Sequence, residues 1–307
     1  MEDESRRSDG SDRSGRSDVS DRPSRSDRPD RSERSTARSS STTAPLVEPI
    51  PDEPAAIATV GTQRALLVAD YHAGYEAGLR YDRGVDVPSR APERRDRLAS
   101  LLERTRPDRL VVLGDLMHSI GDPGGAERGE LEVLFESLPD DVPVTVVKGN
   151  HDGRIETWLT DGDEVDTDID VVPGDGTPLG DVGVCHGHTW PSPAVLECEV
   201  VCLGHEHPCV RLEDEVGGSR VERVWLRGRL DPAPFRPRPE YEDVAWLDGA
   251  GETPPRVVVV PAFNDLVGGT WINVTGQSFL SPFLPAGLAG GEAYLLDGTR
   301  LGPYESV

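Results

Sequence analysis

The sequence predicts an α/β protein in which a parallel sheet carries helices on its face. Three observations carry this. Apolar runs alternate with helically spaced leucines in β-α-β-α-β order between residues 64 and 150. The second half continues mainly as short strands. The first three apolar runs each end in polar residues, and functional groups of open α/β sheets gather beyond the carboxyl ends of strands.

Taken in order, residues 1–46 are Arg/Ser/Asp low complexity, with Met1 and Val19 the only large apolar side chains before Leu46. Such a segment buries too little apolar area to offset its chain entropy, so it is expected to be a disordered tail. Residues 64–70 form the first strand. Residues 92–106 place Leu98, Leu101 and Leu102 on one helical face and stop before Pro107. Residues 109–115 are a second strand, 125–138 a helix with Leu131, Leu134, Phe135 and Leu138 on one face, and 142–150 a third strand. Strands follow at 183–186, 200–203, 210–212, 221–226 and 257–260. Residues 228–255, rich in Pro and charge, are expected as a surface insertion. The catalytic domain is expected to span 47–307.

The charge is unevenly placed. The 307 residues hold 32 Lys and Arg against 56 Asp and Glu, a net charge of −24. Residues 1–47 carry ten acids and ten Arg; the remaining 260 carry 46 acids against 22 bases, and Lys148 is the chain's one lysine. This composition resembles proteins of salt-in halophiles, because self-repulsion fades when salt shortens screening to about 3 Å at 1 M. No run of about 18 apolar residues is present to cross a membrane, and no apolar leader opens the chain. The four cysteines do not form a disulfide framework or a Cys-x-x-Cys pair and read as small buried hydrophobes. A cytoplasmic protein is expected.

All seven histidines fall at the ends of five strand runs. The segments are Asp70-Tyr71-His72, Gly114-Asp115-Leu116-Met117-His118, Gly149-Asn150-His151-Asp152, His186-Gly187-His188 and Gly204-His205-Glu206-His207. A lone His is usually a satisfied structural residue. Seven at strand ends beside Asp and Asn favour a dinuclear metal centre. Imidazole, carboxylate and amide oxygen suit two divalent ions of the Mn, Fe, Zn, Ni or Co type. Asp115, ending a central strand, is the natural bridge between two cations. A pair of cations clamps a phosphate and stabilises both attacking and leaving oxygens.

The five ordered blocks resemble those of the calcineurin-like metallophosphoesterases. The resemblance implies a β-sandwich of two mixed sheets flanked by helices, with the metals at its edge. It makes Asp70, His72 and His207 ligands of one metal and Asn150, His186 and His205 ligands of the other, with Asp115 bridging. It places His151 over the phosphate and gives Asp152 as its companion. The implied nucleophile is a hydroxide activated by the two metals. Asp70 to Glu76, Gly114 to His118, Gly204 to Pro208 and Pro261 to Asp265 further resemble the ICC-like phosphoesterases, a group that includes DNA ligase-associated enzymes. That suggests nucleic acid or nucleotides as substrate partners.

One departure stands out. The protein Ser/Thr phosphatase branch carries Asp three residues after the Gly-Asp carboxylate; here that position is His118. It either orients His151 or contacts phosphate, and an orienting role is expected. His188 is expected beside the ligands or facing substrate, and Glu206, by strand alternation, on the opposite face. Lys148 is expected to face solvent, Glu76 and Arg80 to line the pocket or pair with each other, and Trp225, Trp271 and Phe279 to belong to the core. The chain lacks a P-loop, a nucleophile elbow and a dinucleotide fingerprint. The sequence therefore predicts a metal-dependent phosphoesterase acting on phosphodiesters. A phosphomonoesterase and a non-catalytic metal-binding interaction module are the alternatives.

Overall fold

The computed structural model describes residues 45–121, 124–156, 159, 168–214, 216–249, 251 and 253–307. The tail expected over 1–46 lies outside these residues, apart from Pro45 and Leu46.

The first sheet has six strands in chain order: β1 (Val47–Pro49), β2 (Ala55–Val60), β3 (Gln63–Val68), β4 (Arg109–Val112), β5 (Val144–Val147) and β6 (Ile169–Val172). The first three pair antiparallel, and β3 to β6 run parallel. The second sheet is formed by β7 (Thr177–Leu179), β8 (Val182–Cys185), β9 (Val200–Leu203), β10 (Cys209–Glu213), β11 (Ser219–Leu230), β12 (Arg256–Val259), β13 (Leu288–Leu295) and β14 (Arg300–Pro303). Its order is β14-β13-β11-β12-β9-β8-β7, with β10 paired to β11. Only β12-β9-β8 are parallel there. Both sheets are therefore mixed.

The helices are α1 (Tyr75–Arg83), α2 (Ala91–Thr105), α3 (Gly125–Glu136) and the single turn α4 (Pro193–Leu196). The second of these matches its leucine spacing: Leu98, Leu101 and Leu102 are buried, and the helix ends where Arg106 turns left-handed before Pro107. Gly74 and Gly84, both left-handed, bracket α1 and confine it to the loop after the first functional segment.

Three apolar layers hold this together. Leu66, Val68, Leu110, Val112 and Val146 pack under Leu98, Leu101, Leu131 and Phe135 of α2 and α3. Between the sheets, Ala58, Leu67, Val111 and Val147 meet Val184, Cys202, Trp225 and Val258. On the outer face of the second sheet, Leu203, Leu226 and Val259 pack with Phe235, Tyr241, Trp246 and Phe283. The last layer includes much of the 228–255 segment. Its proline-rich turns fold back as a cover: Phe235, Tyr241, Val244, Trp246 and Leu247 are buried, and Trp246 Nε1–H donates to the Leu196 carbonyl. All four cysteines are buried and free. Trp225 is fully buried, while Trp271 and Phe279 are half-buried. Among the described residues no helix is long and apolar enough to cross a membrane.

Candidate metal centre

The parallel strands β3, β4, β5, β8 and β9 all end on one edge of the sandwich, and each delivers one of the five polar segments there. The first two segments are stitched by backbone hydrogen bonds. Asp70 N–H donates to Gly114 O, His72 N–H to Asp115 O and Ala73 N–H to Leu116 O, at 3.1, 2.8 and 2.9 Å. Turning side chains back over the sheet edge requires unusual backbone. Of seven non-glycine residues with positive φ among the described residues, five are Asp70, His72, Asp115, His205 and His207. Such conformations cost of order 1–3 kcal/mol each and cluster at functional sites.

The side chains converge as two groups that share one carboxylate. Ligand atoms of Asp70, His72, Asp115 and His207 lie within 4.8 Å of one another, as do those of Asp115, His186 and His205. His207 Nε2 is 3.4 Å from Asp70 Oδ1, and His72 Nε2 is 3.7 Å from Asp115 Oδ2. His186 Nε2 lies 3.4 Å from Asp115 Oδ1 and 3.2 Å from Asn150 Oδ1. Two of the rings are oriented from behind: His186 Nδ1 meets Leu113 O and His207 Nδ1 meets Gly268 O, both at 2.8 Å. With Nδ1–H so engaged, each Nε2 presents its lone pair to the centre.

The donor set fits divalent cations. His72 Nε2 and His207 Nε2 face each other at 3.4 Å beside two buried carboxylates. Lone pairs that converge this way, without enough protons between them, suit a cation and little else. The backbone is shaped to the same end. A Cβ at Gly114 would fall 2.1 Å from His186 Nδ1, and one at Gly149 would fall 2.0 Å from Asp115 Oδ1.

The electrostatics favour ligating forms for most of the set. Burial drives the His72 imidazole down to about 3 and the His205 imidazole down to about 4, so both are neutral. Burial would raise the Asp70 and Asp115 carboxyls, but the surrounding imidazoles outweigh it and hold both below the ordinary range. Burial also opposes charge on His186, yet Asp115 and Asp70 push it up to about 9; His207 is raised by Asp70 in the same way. Those two rings would have to release a proton to ligate a cation.

The other candidates take distinct places. His151 donates its backbone N–H to Asp115 Oδ1 at 3.0 Å, its Nδ1 meets the His118 carbonyl, and its Nε2 lies 4.0 Å from Asp115 Oδ2. The His118 ring stacks on His151 at 5.5 Å between centroids and meets Tyr75 edge-on at 4.8 Å. His72, His118 and His151 form a third group of converging nitrogens. His188 packs on His186 and His205, with ring centroids 5.2 and 6.1 Å away.

Asp152 departs from the expectation that it orients His151. Its buried carboxylate accepts the backbone N–H groups of Leu116, Met117 and Gly149 at 3.3, 2.9 and 2.8 Å. It thus joins the loops that carry Asp115 and Asn150, and the His151 ring is held by the His118 carbonyl. Lys148 is paired with Glu156 at 2.8 Å. Glu76 and Arg80 neither line the centre nor pair together: Glu76 binds Arg94, and Arg80 binds Asp86. Glu206 points away from the centre, as expected, but not by strand alternation, because His205 and His207 on either side are left-handed. Its buried carboxylate accepts N–H from Leu280 at 3.0 Å and Ser281 at 2.6 Å and the Thr270 hydroxyl at 3.3 Å.

Two supporting residues escaped the sequence reading. Asn264, fully buried, donates Nδ2–H to the carbonyls of Tyr71 and His72 at 3.2 and 3.4 Å and so fixes the first turn. Glu127 on α3 accepts the N–H groups of His118 at 2.5 Å and Ser119 at 2.9 Å. The Pro261-Ala262-Phe263-Asn264-Asp265 block was the available signal for the first. For Glu127 the sequence offers none beyond an acid in the first turn of a helix.

Residues 63–209 match the family model for calcineurin-like phosphoesterases. All five polar segments lie inside that span. Among solved structures, Pseudomonas putida nuclease MPE is 20% identical, with 83% of this chain and 100% of that chain covered and a TM-score of 0.46. YfcE, a phosphoesterase from E. coli, is 18% identical, with 49% of this chain and 73% of that chain covered and a TM-score of 0.31. No curated protein sequence matches.

Proposed function

We propose that the chain is a calcineurin-like metallophosphoesterase, as the match over residues 63–209 and the converging ligand groups support, and that it hydrolyses phosphodiesters of nucleic acid or nucleotides. The observation that carries the reading is the convergence of two ligand groups on the single carboxylate of Asp115. The diester class is supported by the likeness of the Asp70, Gly114, Gly204 and Pro261 blocks to the ICC-like and ligase-associated enzymes. We assign the catalytic domain to 47–307.

Asp70, His72 and His207 would hold one cation and Asn150, His186 and His205 the other, with Asp115 able to serve both. When bound, two such cations, Mn²⁺ in this reading, supply an activated water nucleophile and neutralise charge on the phosphoryl oxygens. The rest is done by this chain's own groups. His151, held through Nδ1 by the His118 carbonyl, presents Nε2 at the rim beside Asp115. As imidazolium it keeps Nδ1–H on that carbonyl and donates from Nε2 to the phosphoryl or departing oxygen. His118 supplies that carbonyl and stacks its ring on His151, so it positions the acid. Asp152 sets the distance between the Asp115 and Asn150 loops.

The test is hydrolysis of bis-p-nitrophenyl phosphate and p-nitrophenyl phosphate in molar KCl, with and without Mn²⁺. Metal-dependent cleavage that favours the diester is expected. Cleavage of the monoester alone would move the protein to a phosphatase, and two bound metals with no turnover of either would favour an interaction module.

A further inference from the structure

Along β11 the inner face of the second sheet changes character. Trp225 is buried between the sheets. Arg227 and Arg229 follow at two-residue spacing, so strand alternation puts them on the same face. Arg256, at the start of β12, is the direct cross-strand partner of Arg229, and Val258 is that of Arg227. Direct partners hold their Cβ atoms about 5 Å apart, and like charges placed so repel. The three arginines line one open groove of about 440 Å³ with Val47, Val200 and Tyr294.

Among the described residues no carboxylate neutralises them: none of the three guanidiniums has one within 4.0 Å. Arg229 donates to the Pro254 carbonyl at 2.9 Å, and Arg227 lies over the Tyr294 ring at 5.6 Å. The nearby carboxylate of Glu292 is already engaged by Arg300 and the Tyr294 hydroxyl. In a domain where acids outnumber bases about two to one, pairing these arginines would be easy. Three guanidiniums on one groove, with no carboxylate partner among the described residues, instead match an oxyanion, which accepts from planar N–H forks.

The groove is not the metal centre. Val200 opens β9 and lines the groove, whereas His205 and His207 follow the far end of that strand. At about 3.3 Å per residue the two lie roughly 15 Å apart.

We propose that Arg227, Arg229 and Arg256 form a phosphate-binding site separate from the metal centre, taking the phosphate of a free anion or of a phosphodiester backbone. The inference stands whether or not the diester reading of the centre does.

The test uses the full chain after chelation, so that the metal centre does not bind the probe. Inorganic phosphate is titrated at constant ionic strength in KCl, followed calorimetrically and by melting temperature, and single-stranded oligothymidylate is then added as competitor. Wild type should bind phosphate and melt higher with it. The Arg227→Gln/Arg256→Gln variant should bind roughly tenfold more weakly or worse, as loss of charge-assisted hydrogen bonds implies, and should melt no lower than wild type without phosphate. Arg80→Gln, on exposed α1, should behave as wild type. If the double variant does not fold, Arg229→Gln, an exposed side chain, gives the same reading. Displacement of phosphate by the oligonucleotide identifies the backbone as the source, and its absence identifies a free anion; both support the site. Phosphate binding no stronger than chloride in wild type, or binding unchanged in the variants, overturns it.

Discussion

Two buried polar clusters lie on either side of the Asp70-Tyr71-His72 turn, and they differ in how their hydrogen bonds add up. On the helical side, Arg94 donates to both oxygens of Glu76 at 2.9 and 3.0 Å and to Glu130 at 2.8 Å. The remaining oxygen of Glu130 accepts Gly74 N–H, and Glu76 accepts Arg90 N–H as well. Every carboxylate oxygen there meets a donor, so the cluster is closed. On the sheet edge, among the described residues, Asp115 Oδ2 faces imidazole nitrogens, and His72 Nε2 faces His207 Nε2. That cluster is open. Burial of polar groups is common to both; only the deficit of donors marks a place for a cation. The closed cluster holds the turn so that the open one keeps its shape.

The largest effect should come from the rim of the open cluster. His151→Gln removes the proposed acid without touching a ligand, so kcat should fall by roughly 10²- to 10⁴-fold with both metals retained. A variant that keeps wild-type kcat would remove His151 from the chemistry. Breaking the closed cluster should instead cost stability. Arg94→Met leaves two buried carboxylates without their shared partner, and a loss of about 3–5 kcal/mol in chemical unfolding is expected. If that loss is absent, the cluster is not the support described here. Glu206→Gln, which weakens the clamp on residues 280–281, should cost about 1–3 kcal/mol and loosen metal binding through the His205-Glu206-His207 loop. Equal metal affinity in that variant would confine Glu206 to the core.

Two smaller effects concern charge. Burial would raise the Glu76 carboxyl, but Arg94 and the Arg90 N–H outweigh it and hold it below its ordinary 4.5. Its contribution is therefore complete above that value and is lost as pH falls below it. Wild type should lose more stability on acidification through this range than Glu76→Gln, and parallel acid curves would contradict the closed cluster's electrostatics. The acidic domain should also melt higher in molar KCl than in dilute buffer, because screening relieves self-repulsion. A melting temperature indifferent to salt would separate this composition from a halophilic one.

Much of the site was legible because strand ends are local features. Leu66 to Val68, Leu110 to Val112 and Val144 to Val147 are apolar runs, and the first Asp, His or Asn after each is a ligand candidate that the fold brings to the edge. What was illegible is long-range or irregular. Asn264 reaches the Tyr71 carbonyl across 193 residues of chain, and no local pattern encodes that. β13 contains a Gly-Gly bulge at Gly290–Gly291 that breaks alternation, and α1 contains an internal glycine, Gly78, that sits against the His118 ring. The family resemblance gave Asp152 as the companion of His151, and the hydrogen bonds of its carboxylate go elsewhere. In the fold the carboxylate turns inward to three backbone N–H groups, and the ring is held from the His118 loop. The packing of the 228–255 segment was not legible because proline and charge dominate its composition, while its aromatic residues Phe235, Tyr241 and Trp246 are buried.

A dinuclear centre at this sheet edge requires Asp115 to be shared by two cations. Divalent metal content per chain, measured by elemental analysis on wild type and Asp115→Asn together with diester turnover, tests this most directly. Two ions per wild-type chain, with binding and metal-dependent turnover both lost in the variant, is the predicted result. An Asp115→Asn protein that keeps both ions and its turnover would contradict it.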